Sequence, residues 1–201
     1  MSRAMELDTE PPTDAVVAQG LAALKREGGS VLVVGAATAA QRDLCERFRA
    51  DEEAVSVATD SPVREDAVDA VVERSFPTRS ATASNDASSA ADVTSLAGDL
   101  EAAMWEHARE DATLRVCFDS IRPYVHATDP PTLATALSSI RETARVTGSV
   151  VHLHLPAMAK AVPRRLHDAV DALVEVRHVN GTVCQRWRFP GATGTTDWVE
   201  V

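Results

Sequence analysis

The segment whose spacing suits chemistry is Gly35-Ala36-Ala37-Thr38-Ala39-Ala40-Gln41-Arg42, which directly follows the apolar run Val31-Leu32-Val33-Val34. A phosphate-cradling loop at that place needs G-x-x-x-x-G-K-[S/T]. Its glycines let backbone N–H groups approach the phosphates, its lysine neutralises them, and its hydroxyl holds Mg2+. Gly35 supplies the first glycine, but Ala40 replaces the second, Gln41 the lysine and Arg42 the hydroxyl residue. A neutral amide cannot stand in for a point cation, and a guanidinium cannot ligate Mg2+. Triphosphate affinity and stabilisation of transferring charge should both be poor. No catalytic residue is assigned, and no cofactor is expected. Arg42 could hold an anion at a helix start, although a solvated helix-face arginine is the plainer reading. The loop is also too rich in alanine for the G-x-G-x-x-G of dinucleotide binders.

A second set of candidates lies further along. Asp119 ends the run Leu114-Arg115-Val116-Cys117-Phe118, where the Mg2+-associated acid of a phosphate-loop enzyme would stand. With Ser120 it is the candidate for a residual nucleotide site, against the commoner role of such residues in capping a helix. His152 and His154 are two apart in an apolar run, so a strand would point both to one face. With an acid such as Asp119 on a neighbouring strand they are candidates for a metal site. Packed sheet histidines are the plainer reading, and no metal is assigned. Cys117 with His152 could form a nucleophile pair, but a mid-strand cysteine reads as a buried, inert thiol. Cys45, Cys117 and Cys184 are odd in number and in no metal or redox spacing. They read as small buried hydrophobes in a reducing, cytoplasmic compartment.

The elements that must position these residues follow from periodicity. Val17, Leu21 and Leu24 recur at helical spacing after a Thr13 or Asp14 cap, and Gly28-Gly29 close that helix. Residues 30–35 form a short apolar run bounded by glycines, which suits a central parallel strand buried on both faces. A helix over 39–49 and a strand over 54–58 follow, and 63–72 could be helix leading into strand. Residues 77–95, rich in Ser, Thr, Ala and Asp, have no large hydrophobe before Leu96 and read as a flexible surface loop. A helix over 99–109, a strand over 114–119, a helix over 132–146 capped near Asp129, a strand over 149–156 and a helix interrupted or begun at Pro163 complete the alternation. Asn180-Gly181 then joins two alternating runs, the strongest short hairpin signal. Residues 190–201 form a tether and a Trp198-bearing tail, read as docking on the protein's own sheet. The pattern predicts one α/β domain over 1–201, with a mostly parallel sheet covered by helices, a closing antiparallel hairpin and a flexible segment at 1–12.

Composition bounds the partners. The chain has 201 residues, 30 Asp plus Glu, 20 Lys plus Arg and a formal net charge of -10. Such a balance argues against nucleic acid, whose affinity for proteins comes largely from neutralised phosphates. The only local basic candidates are Arg164 with Arg165, and Arg177 with Arg186 and Arg188. No apolar stretch reaches the roughly 20 residues of a membrane span. Lys25 and Lys160 are the only lysines, and an acidic, lysine-poor chain suits a salt-loving archaeon, where high salt screens the repulsion.

The run Arg115-Val116-Cys117-Phe118-Asp119-Ser120, the strand ending in His154-Leu155-Pro156, and Asp171-Ala172-Leu173-Val174-Glu175-Val176-Arg177 before a hairpin resemble the later half of KaiC/RecA-like ATPases. The chain is similar to a group of haloarchaeal proteins of this kind that lack an intact P-loop, some labelled transducer-like. The resemblance implies a three-layer RecA-like core and association with similar subunits. With the loop lost at Ala40, Gln41 and Arg42, it implies a non-catalytic protein that acts in regulation or signalling through protein contacts. The alternative is an ATPase or switch with an unconventional phosphate site using Arg42, Asp119 and Ser120.

Overall fold

The structure is a computed structural model that describes residues 13–49, 54–58, 70–73, 86–109, 112–190 and 195–200. In chain order the elements are α1 (Thr13–Glu27), β1 (Gly29–Val34), α2 (Thr38–Arg49), β2 (Ala54–Ala58), β3 (Ala70–Glu73), α3 (Asp86–His107), β4 (Arg115–Phe118), α4 (Arg122–Ala127), α5 (Pro130–Thr147), β5 (Val150–Leu155), α6 (Arg164–Asp168), β6 (Ala172–Val179), β7 (Thr182–Arg188) and β8 (Val199–Glu200). The strands form one sheet in the order β3-β2-β4-β5-β1-β6-β7-β8. Every pairing from β3 to β6 is parallel, and β6/β7 and β7/β8 are antiparallel. The α/β class, the mostly parallel sheet and the closing hairpin are as the sequence predicts.

Strand alternation explains the two cores. Leu32, Val34, Val116, Phe118, Val151, Leu153 and Leu155 join a cluster with Leu100 and Met104 of α3 and Leu133, Leu137 and Ile140 of α5. Val31, Val33, Val150, Val174 and Val176 turn the other way and join Leu24 of α1, Leu44 of α2, Trp187 and Phe189. A strand buried on both faces has no polar side to offer water, which is why β1 reads as an unbroken apolar run.

Three local expectations change. The loop placed at 77–95 is helical from Asp86, the start of α3; 77–85 lie outside the described residues, as do 1–12 and 59–69. Alanine-rich sequence needs few large side chains to make a helix, and Val93, Leu96 and Ala97 are buried against the core. Helix α4, which periodicity did not indicate, begins at a proline-bearing first turn. The interrupted helix near Pro163 is a 3-10 turn, Ala159–Ala161, followed by the short α6.

Caps and turns follow their residue types. The Asp129 carboxylate accepts a hydrogen bond from Thr132 N at 3.1 Å at the start of α5, and Gly148 ends that helix in the left-handed region. Hydrogen bonding to Thr132 holds the Asp129 carboxyl below its ordinary value. A carboxyl so lowered contributes stability above its unfolded-state value of about 4 and loses it as pH falls through the lower folded value. Asp129→Ala should therefore lower the melting temperature at neutral pH and leave it nearly unchanged in strong acid. Asp129→Ser should retain most of the midpoint. Thermal scans by circular dichroism across that range check both expectations.

Asn180 and Gly181 both have positive φ, 52° and 85°, as a two-residue hairpin turn demands. The tail docks on its own sheet: β8 pairs with β7, and Trp198 lies 3.8 Å from the Arg177 guanidinium and 4.6 Å from that of Arg186. Arg186 also pairs with Glu175 directly across the ladder at 2.6 Å. The basic candidates Arg177 and Arg186 are thus engaged within the protein.

Candidate functional site

In a parallel α/β sheet ligands sit beyond the carboxyl ends of the central strands, and the loop from β1 to α2 leaves at that end. It is closed by its own side chains. Gln41 is buried, and its side-chain amide donates to the carbonyl oxygens of Gly35 at 2.7 Å and Leu155 at 3.2 Å. Gly35 N donates to Ala157 O at 2.9 Å. The loop leaving β1 is therefore laced to the chain leaving β5. The residue in the lysine position turns inward to satisfy buried backbone, the demand any buried carbonyl makes.

Each remaining loop position has a structural role or faces outward. Gly35 has φ +153°, and a Cβ there would fall 2.3 Å from the Val176 carbonyl oxygen, so close approach of β6 alone requires the glycine. Ala40 is fully buried among the residues between α2 and the sheet. Arg42 is exposed on α2. The strand-end pair is divided as well. Ser120 is buried, and its Oγ accepts from Arg122 N at 3.2 Å in the first turn of α4. Asp119 is partly exposed at the end of β4, with β5 between it and β1.

The chemistry that does assemble was not on one segment. His152 and His154 are both buried and share the α2 face of β5, as period-two spacing requires. Cys117 is the Cα partner of His152 in the β4/β5 ladder. Its sulfur, however, lies 3.7 Å from Nε2 of His154. Cys45 descends from α2, one turn after Gln41, and is joined to Cys117 by a disulfide with Cα atoms 6.8 Å apart and a sequence separation of 72. The ligand atoms of Cys45, Cys117 and His154 all lie within 4.8 Å of one another, and all three residues are buried.

This corrects the reading of the three cysteines as separate inert thiols. Cys45 and Cys117 form a pair, and only Cys184 is a free, buried thiol. It also corrects the partners of the histidines: the acid Asp119 is not in the cluster, and His154 rather than His152 meets the sulfur. Spacing along the chain could not reveal the group, because its members come from a helix and two strands that become neighbours only in the folded sheet.

Residues 28–176 match a family of unknown function, DUF7504. The chain belongs to the DUF7504 family. The DUF7504 segment takes in the loop from Gly35 to Arg42, the latch at Gln41 and the cluster of Cys45, Cys117 and His154, and it ends within β6, before the hairpin turn and the Trp198 tail. No curated protein matches the chain. Among the described residues, no helix is long and apolar enough to cross a membrane.

Proposed function

We propose that this DUF7504 protein is a non-catalytic, cytoplasmic protein with a RecA/KaiC-like three-layer core that acts in regulation or signalling through protein contacts. The observation that carries the reading is the Gln41 latch. The side chain that should neutralise phosphate is buried and bonded to Gly35 O and Leu155 O. A triphosphate would meet a filled turn with no lysine, no metal-ligating hydroxyl and no second glycine. The strand order supports the RecA-like core, since β5 separates the strand before the loop from the strand that ends on Asp119.

An open cleft at the amino ends of β1, β4 and β5 supports action through protein contacts. Trp105 and Val146 line it as exposed large apolar side chains, with Arg26, Arg109 and Arg145 beside them. Exposed apolar surface rimmed by charge is what protein partners, including further copies of the same chain, bury.

Titration with a fluorescent ATP analogue in molar KCl, together with an assay of phosphate release, tests the proposal. No saturable binding in the micromolar range and no Mg2+-dependent release are expected. Micromolar binding abolished by Arg42→Ala would overturn it. Turnover lost in Asp119→Asn at an unchanged melting temperature would establish the alternative, a nucleotide-dependent enzyme or switch using Arg42, Asp119 and Ser120.

A further inference from the structure

We infer that Cys45, Cys117 and His154 form a redox-gated zinc site: the disulfide is its oxidised, metal-free state, and the reduced pair with His154 holds one Zn2+. This goes beyond the regulatory reading and does not depend on whether nucleotide binds.

The ligand set has the chemistry for it. Two thiolates and one imidazole suit a soft or borderline d10 cation, not Mg2+ or Ca2+, which take oxygen ligands. Geometry agrees. With Zn–S near 2.3 Å and Zn–N near 2.0 Å, the S···N edge of a tetrahedron is about 3.6 Å. The Cys117 sulfur and His154 Nε2 are already 3.7 Å apart. The two sulfurs would need to lie about 3.8 Å apart around the ion. The Cα separation of 6.8 Å is at the wide end of what disulfides span, so the backbone already leaves room for that separation.

Charge and scaffold point the same way. All three residues are nearly inaccessible to solvent, and burying two thiolates alone would be costly. One Zn2+ makes the cluster neutral, whereas Cu+ would leave a net negative charge in the core. Cys117 and His154 sit on adjacent strands of a continuous ladder, and Ile121 N donates to the His154 carbonyl at 2.8 Å, which fixes the end of β5. Gln41, one helical turn before Cys45, ties α2 to Leu155 beside His154. The latch that fills the phosphate loop thus also holds Cys45 over its partners. Three protein ligands leave the fourth position of a tetrahedral ion to water or an exogenous ligand.

The chemistry balances. A thiol or phosphine reductant gives two electrons to the Cys45–Cys117 bond, and two protons from solvent complete the two thiols. Zn2+ then displaces those two protons to solvent as the sulfurs become ligands, and His154 binds through its neutral Nε2. Reoxidation by a disulfide oxidant removes two electrons from the thiolates, re-forms the S–S bond and releases the ion.

The test uses the full chain in molar KCl under argon. The protein is reduced with a phosphine, freed of metal, and titrated with Zn2+ against a chromophoric chelator and, separately, with Co2+ as a spectroscopic probe. One ion per reduced chain is expected, with Co2+ giving thiolate-to-metal charge-transfer absorption in the near ultraviolet, and no uptake by the disulfide form. Cys45→Ser should weaken binding by more than ~100-fold and His154→Gln by at least ~10-fold, while Cys184→Ser leaves it unchanged. Circular dichroism establishes that these variants are folded, and the two at Cys45 and His154 decide the matter even if Cys117→Ser does not fold. No uptake by the reduced wild type, uptake that persists in Cys45→Ser, or equal uptake by the disulfide form would each overturn the site.

Discussion

Placing a lysine at position 41 with Gln41→Lys lowers stability by about 1–3 kcal/mol and confers no nucleotide binding. Gln41 is 2% exposed, and its amide spends both N–H donors on the carbonyls of Gly35 and Leu155. A lysine there must either bury an ammonium without a counter-ion, which costs several kcal/mol, or turn outward and leave the Gly35 carbonyl without its donor at about 1–3 kcal/mol, while Leu155 O keeps its bond from Ala157 N at 2.7 Å. Neither outcome creates a phosphate site, because Ala40 remains packed in the core and no hydroxyl follows it. Chemical denaturation of wild type and variant in the same high-salt buffer measures the stability loss, and the ATP-analogue titration measures the absence of gain. A stable Gln41→Lys protein that binds ATP would show that the latch is incidental and that the loop retains a phosphate-binding conformation.

Gly35→Ala destabilises the protein by about 3 kcal/mol although no phosphate is there to be approached. Two costs add. A φ of +153° is one that L side chains rarely adopt, and the new methyl would lie 2.3 Å from the Val176 carbonyl. That oxygen belongs to the backbone of β6, the strand paired to β1, so relief requires β6 to shift in the sheet. The denaturation midpoint of Gly35→Ala checks the magnitude. An unchanged midpoint would mean that β6 yields easily and that the glycine is held for something other than packing. Together the two substitutions separate the two ends of this loop: Gly35 is required by the strand beside it, and Gln41 by the carbonyls beneath it.

Much of the scaffold was legible because it depends on local periodicity. The bounds of α1, β1, β5 and the β6–β7 hairpin follow from apolar runs, glycine stops and the Asn180-Gly181 turn. The α5 cap was readable at Asp129 because capping is a contact three residues long. Reading failed at Asp86–Ser95, where small residues can fold as helix or loop and the decision rests on whether Val93 and Leu96 find a core. It failed again at α4, which is too short for a period to show.

The amino-acid sequence by itself determined the α/β alternation, the buried first strand and the presence of Ala40, Gln41 and Arg42 where a triphosphate-gripping loop would need glycine, lysine and a hydroxyl. Each of these is a statement about neighbours along the chain. Only the tertiary structure decided what those positions do: the inward amide of Gln41, the Val176 carbonyl against Gly35, and the meeting of Cys45, Cys117 and His154. The physical reason is that strand order sets these contacts. Inserting β5 between β1 and β4 brings residues from distant parts of the chain onto one face beneath α2, and no spacing within a single segment encodes that order.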